Sequence, residues 1–161
     1  MKNILILFFL VIFSNHIFSQ NQETYIIEEM KKDVTYLASD KMKGRKTGTL
    51  GEKKAAKYIR TKFKEKQLLA KGDDGYFQYF ESTTNTHPHS EKKNKKIKGL
   101  NVIGFCDNEQ KETIIIGAHY DHLGMGKTGS LYSGDKEIHN GADDNASGVS
   151  ILINLIDKLC K

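Results

Sequence analysis

Thr113-Ile114-Ile115-Ile116-Gly117-Ala118-His119-Tyr120-Asp121-His122 runs from a β-branched stretch straight into a cluster of metal-ligating residue types. Three consecutive isoleucines predict a strand over 113–118 buried on both faces, as in the middle of an α/β sheet. Just upstream, Asn101 to Cys106 predicts a second strand, joined to the first by the charged turn Asp107 to Glu112. Downstream, Gly124 to Gly141 is glycine-rich and irregular. Ala146 to Leu159 then carries Val149, Leu152, Leu155, Ile156 and Leu159 at helical spacing. Helices flanking buried strands define an α/β layered domain.

The preceding residues fit that class. Tyr25 to Ala38 places Ile26, Ile27, Met30, Val34 and Leu37 on one helical face, with lysines and glutamates opposite. Ser39 to Gly48 breaks the pattern and predicts a loop. Thr49-Leu50-Gly51-Glu52 matches a capping box, in which the Thr49 hydroxyl and the Glu52 carboxylate satisfy free amides at a helix start. A helix to about Lys66 follows, because Ala55, Ala56, Ile59 and Phe63 share a face. The aromatic content of Tyr76 to Phe80 predicts a strand, and the polar stretch Thr83 to Lys98 predicts a surface connection or an exposed hairpin. No internal repeat is visible.

The 161 residues suffice for one ordinary domain. Lys2, the apolar run Ile4 to Phe13 and the small Ser19 just before Gln20 form a signal peptide over residues 1–19, which leaves 20–161 as the exported chain. The run is too short for a bilayer, which needs about 20 apolar residues, so no stable membrane anchor is expected. Export places the protein in the periplasm or outside the cell. Cys106 and Cys160 are too few for a disulfide framework and are read as unrelated thiols. The net charge of +5 is spread over several segments, densest at Lys92 to Lys98. That run lacks interleaved aromatics, so a solvated loop is expected and no nucleic-acid partner.

Chemistry concentrates in two segments, the His119 cluster and Asn140-Gly141-Ala142-Asp143-Asp144-Asn145-Ala146-Ser147-Gly148. Ligands of open α/β sheets bind at the carboxyl ends of strands. There His119 and Asp121 are two residues apart and face the same side of an extended chain. A histidine that binds an ion through one ring nitrogen and donates from the other to a carboxylate is a stronger ligand with a fixed tautomer. The Asp143-Asp144 pair lies in a loop of glycine and small residues. A two-oxygen aspartate there can bridge two ions held roughly 3.5–4 Å apart. Two other readings fail on position. A P-loop ending at Gly126-Lys127-Thr128 would need glycine where Asp121 stands. A metallo-β-lactamase-type site would need histidine where Gly117 stands.

The two motifs together resemble the di-zinc metallopeptidases that include secreted bacterial leucyl aminopeptidases, glutamate carboxypeptidases and, more distantly, glutaminyl cyclases. The resemblance extends weakly upstream through Leu37-Ala38-Ser39-Asp40, Gly44-Arg45-Lys46-Thr47-Gly48 and Asn101-Val102-Ile103-Gly104. It implies a three-layer zinc-peptidase fold of the phosphorylase/hydrolase-like kind, with a central, mixed, mostly parallel sheet. It implies His119 and Asp143 as metal ligands, Asp143 bridging two zinc ions. Asp121 is then the catalytic-site partner of His119, and the Asp143-Asp144 peptide is cis. Asp144 is read as a structural loop residue, and His122, His139, His87 and His89 as loop or surface residues.

The family completes its centre with a Glu-Glu pair, a further acidic residue and a final histidine, all downstream of the bridging aspartate. Lys161 precedes them, so the resemblance implies the first half of the fold, without the general base and with weak zinc binding. The expected activity of the whole enzyme is aminopeptidase hydrolysis of peptide or protein N-termini. A non-catalytic exported domain on the same scaffold, and a carboxypeptidase or cyclase, are the alternatives.

Overall fold

The computed structural model describes residues 23–84, 95–126 and 130–160. The signal peptide and His87-Pro88-His89 lie outside the described residues. The fold is mixed α/β, a helical core with one hairpin strand packed against its middle helix. Helix α1 covers 23–37, α2 Leu50–Glu65 and α3 Gly148–Leu159. Strands β1 (Leu69–Ala70), β2 (Phe77–Thr84), β3 (Lys95–Val102) and β4 (Gly104–Phe105) lie between α2 and the site loops.

The strands form two antiparallel two-stranded ladders, β1 with β4 and β2 with β3. The second runs in continuous register from Phe77 opposite Val102 to Thr84 opposite Lys95. Residues 81–84 and 95–98 of the polar stretch therefore pair as antiparallel strands. Two expectations are corrected here. Asn101 to Cys106 is split between the end of β3 and β4. Residues 113–118 form no ladder with any described residue. Ile114 and Ile115 are 85% and 92% exposed instead of buried on both faces. A central parallel sheet is thus not formed among the described residues, since an isoleucine run becomes a buried strand only beside a partner strand.

The core joins the helices to β3. Leu37, Met42, Ala55, Ala56, Ile59 and Phe63 pack with Leu100, Val149, Ile153 and Ile156. A buried carboxylate pins the three helices together. Asp33 of α1 accepts from the Tyr58 hydroxyl of α2 at 2.6 Å and from Asn154 Nδ2 of α3 at 3.1 Å, with Lys62 Nζ 3.3 Å away. Burial and the neighbouring Asp33 push the Tyr58 hydroxyl well above its usual range, so it stays a donor.

The start of α2 departs from the capping box. The Thr49 hydroxyl donates to the Lys46 carbonyl at 2.5 Å and caps nothing. Glu52 is buried, and its two oxygens accept from the amides of Gly48 (2.8 Å) and Leu100 (3.2 Å). The carboxylate serves the preceding loop and β3: the Leu100 amide is buried beside it, and an unpaired buried amide is costly.

The two cysteines are also corrected. They pair as Cys106–Cys160, with Cα atoms 5.8 Å apart. The end of β4 and the end of α3 are adjacent, bridged as well by Asn108 Nδ2 donating to the Leu159 carbonyl at 2.7 Å. Nothing in a separation of 54 residues signals that proximity.

Burial raises the Glu52 carboxyl above its ordinary 4.5, offset in part by the Gly48 and Leu100 amides and raised further by Asp121. A carboxyl raised on folding binds protons more tightly in the native state. Its ionisation therefore detracts from stability as pH rises from 4.5 through the native pKa, and below 4.5 that loss is absent. Urea unfolding of the wild type and of Glu52→Gln across that range should show the wild type's advantage shrinking as pH rises. An advantage that grows with pH would contradict this account.

Candidate metal centre

The site sits where three loops meet, and one side chain holds them. Arg45 ends a 3₁₀ turn over Asp40–Arg45 and is fully buried. Its Nε donates to the Tyr120 carbonyl at 2.7 Å, and Nη1 to the carbonyls of Leu37 (2.5 Å) and Asn140 (2.6 Å). Nη2 donates to Gly141 at 2.8 Å. The guanidinium thus ties the end of α1 to both motif segments. Its rigid fork of donors is what such divergent carbonyls require. Burial lowers its pKa, while the Asp121 and Asp144 charges act to raise it, and a guanidinium remains charged throughout.

The backbone around Arg45 is shaped to the same end. Lys43, Gly44 and Arg45 all take left-handed φ values, of 48°, 64° and 45°. At Gly44 a Cβ would stand 2.5 Å from the Gly124 carbonyl oxygen, so only glycine fits. The Gly44 carbonyl accepts from Gly124 N at 2.9 Å, and the Arg45 carbonyl from His122 N at 3.3 Å. The Ser39 to Gly48 segment, read from sequence as a loop, is in effect the seat of the site.

His119 and Asp121 come together as expected. His119 Nδ1 lies 3.4 Å from Asp121 Oδ1 and 3.2 Å from the Asp121 carbonyl. The other Asp121 oxygen, Oδ2, accepts from the Thr47 hydroxyl at 2.7 Å. Tyr120, between them in sequence, turns inward, and its hydroxyl donates to the Leu100 carbonyl. Side chains along this stretch therefore alternate between core and site.

In the second motif the carboxylate that meets His119 is that of Asp144. His119 Nε2 meets Asp144 Oδ1 at 3.0 Å, and His122 Nδ1 lies 3.4 Å from Asp144 Oδ2. Asp143 enters through its main-chain carbonyl, which accepts from the Ser147 hydroxyl at 2.8 Å. The backbone leaves helical geometry at Asp144 (φ −107°, ψ 92°) and Asn145 (φ −139°, ψ 40°). That turn swings the later of the two carboxylates toward His119. The cis peptide is likewise one bond later than the resemblance implied, between Asp144 and Asn145.

Gly141 (φ 57°) permits the close approach, since a Cβ there would lie 2.6 Å from the His122 ring. His122 is thus wedged between Gly141 and Asp144, not a free loop residue. Its burial lowers its pKa, against the pull of Asp144, and the neutral ring prevails at neutral pH. His139 lies behind it, with Nε2 3.2 Å from Ser130 Oγ. Asn145 ties the loop to its neighbours, donating to the His119 carbonyl at 3.3 Å and accepting from Gly148 N at 3.1 Å.

An imidazole backed by a carboxylate and facing a second carboxylate is a zinc-type donor arrangement. Among the described residues no group of three or more His, Cys, Asp or Glu side chains converges to hold an ion. His119 and Asp144 therefore fit as part of a zinc site, short of the three or four protein ligands such a site takes.

Residues 101–161 match the profile of Peptidase family M28. The matched segment contains both motifs and α3, and it bears out the family read from them. A peptidase, and so a hydrolase, is the class it supports. No curated protein and no solved structure matched the chain. No described helix is long and apolar enough to cross a membrane.

Replacing Arg45 tests the seat directly. Arg45→Met should destabilise the protein by about 3 kcal/mol or more, because several buried carbonyls lose their donor at once. Arg45→Lys should recover only part of this, since an ammonium cannot span the same carbonyls. Denaturant unfolding gives the ranking. Faster amide exchange at His122 and Ala146 in both variants would locate the loss.

Proposed function

We propose that this chain carries one side of the metal centre of an exported, zinc-dependent aminopeptidase that removes residues from peptide and protein N-termini. The observation that carries the reading is the convergence of His119 Nε2 and Asp144 Oδ1 at 3.0 Å, with Asp121 behind the ring. His119 and Asp144 are the ligands in this reading. Asp144 replaces Asp143 because its carboxylate is the one that faces the imidazole. Asp121 holds the His119 ring with Nε2 toward the ion.

Bound zinc lowers the pKa of a coordinated water and polarises a substrate carbonyl. The residues described here supply orientation and charge for that chemistry. Two carboxylates, Asp121 and Asp144, face His119, with the buried Arg45 as counter-charge beneath. Such a field favours a cation over the bare loop. The exposed isoleucines of 114–116 are the segment that the expected three-layer fold would recruit into its sheet. The apolar N-terminal run supports export.

Zinc titration by calorimetry distinguishes the two aspartates. His119→Ala and Asp144→Asn should weaken binding at least about tenfold, and Asp143→Asn should leave it nearly unchanged. The reverse order would return the ligand role to Asp143. In protein isolated from its own cells, release of N-terminal residues from peptides should stop on chelation and return with zinc. Hydrolysis that survives chelation overturns the reading.

A further inference from the structure

We infer that Thr47 is a positioning residue of the zinc site, acting through Asp121 on His119. The inference rests on the reading of His119 as a ligand and goes one residue deeper. Asp121 is half exposed, and a carboxylate in that setting would rotate freely unless held. Its two oxygens are divided. Oδ1 faces His119 Nδ1 at 3.4 Å, and Oδ2 accepts the Thr47 hydroxyl at 2.7 Å. One partner per oxygen fixes the plane of the carboxylate and so the ring that leans on it.

Thr47 is itself held on three sides. Two residues before it stands the buried Arg45, anchored through its guanidinium. The following amide, of Gly48, is bound by Glu52 at 2.8 Å. The Thr47 methyl is seated against β3 at Gly99, where an added Cβ would fall 2.8 Å from Cγ2. A β-branched side chain fixed this way has few rotamers, so its hydroxyl is a pre-aimed donor. The core of α2 and β3 thereby reaches the metal ligand through a hydroxyl and a carboxylate.

The test is zinc affinity of the full chain, measured by competition with a chromophoric chelator. Thr47→Val keeps the shape and the methyl and removes the donor. It should weaken zinc binding by about tenfold, the lower end of what outer-sphere partners of metal ligands contribute. Thr47→Ser restores the donor and should bind nearly as the wild type does. Thr47→Ala, compared with Thr47→Ser, repeats the contrast in a smaller side chain. In an Asp121→Asn background, Thr47→Val should add little, because the two act in series.

Wild-type affinity in Thr47→Val, or an effect fully additive with Asp121→Asn, overturns the inference and leaves the zinc reading standing. A Thr47→Ser variant as weak as Thr47→Val would assign the effect to packing and overturn it too. Absence of zinc binding by the wild type overturns both this inference and the function proposed above.

Discussion

One buried guanidinium determines where the site can be. Arg45 gathers carbonyls from the end of α1, from the His119 segment and from the loop before Asp144. The Leu37 and Tyr120 carbonyls belong to buried residues and gain a donor from it, and a lone buried charge would be expensive without such partners. The two needs cancel, and the geometry that cancels them is specific. A planar fork can meet these carbonyls only when the three segments lie in one arrangement. Because the contacts are to main chain, they fix backbone positions and leave the neighbouring side chains free for chemistry.

The surrounding core transmits that arrangement. Asp33, Tyr58 and Asn154 lock the three helices, while Glu52 joins the start of α2 to β3. Tyr120 reaches from between the two candidate site residues to the Leu100 carbonyl of the same strand. Burial holds its hydroxyl protonated, so it remains a donor. The Cys106–Cys160 link closes the opposite end, where β4 meets α3. Among the described residues, the buried polar side chains of Asp33, Arg45, Glu52 and Ser150 connect segments distant in sequence.

The helices were legible because their apolar residues recur on one face, as at Ala55, Ala56, Ile59 and Phe63. The two motifs and the His119–Asp121 pairing were legible for a similar reason, since a separation of two residues fixes a shared side. Other features depended on distance in space. The approach of Asp144, and not Asp143, to His119 turns on a backbone departure from helical angles that adjacent identical residues cannot reveal. The isoleucine run has the composition of a buried strand, but composition does not supply a partner. Arg45 and Thr47 were visible only as members of a weakly matching segment. Their roles lie in contacts 74 to 96 residues away along the chain.

The division between rigid support and open donors has a physical logic. His119 and Asp144 keep side-chain exposures of 55% and 68%, so their ion pair is screened and adds little to folding. Arg45, Glu52 and Leu37 beneath them are almost fully buried and carry the stability of the region. If the pair is to bind an ion as proposed, a large contribution to folding would resist its separating to admit one. Here the imidazole and the carboxylate can part at small cost while their backbones stay fixed. Thr47 and Asp121 lie at the boundary, half-buried, and couple one layer to the other. On the proposed reading the arrangement is therefore stiff where it holds direction and yielding where a cation would enter.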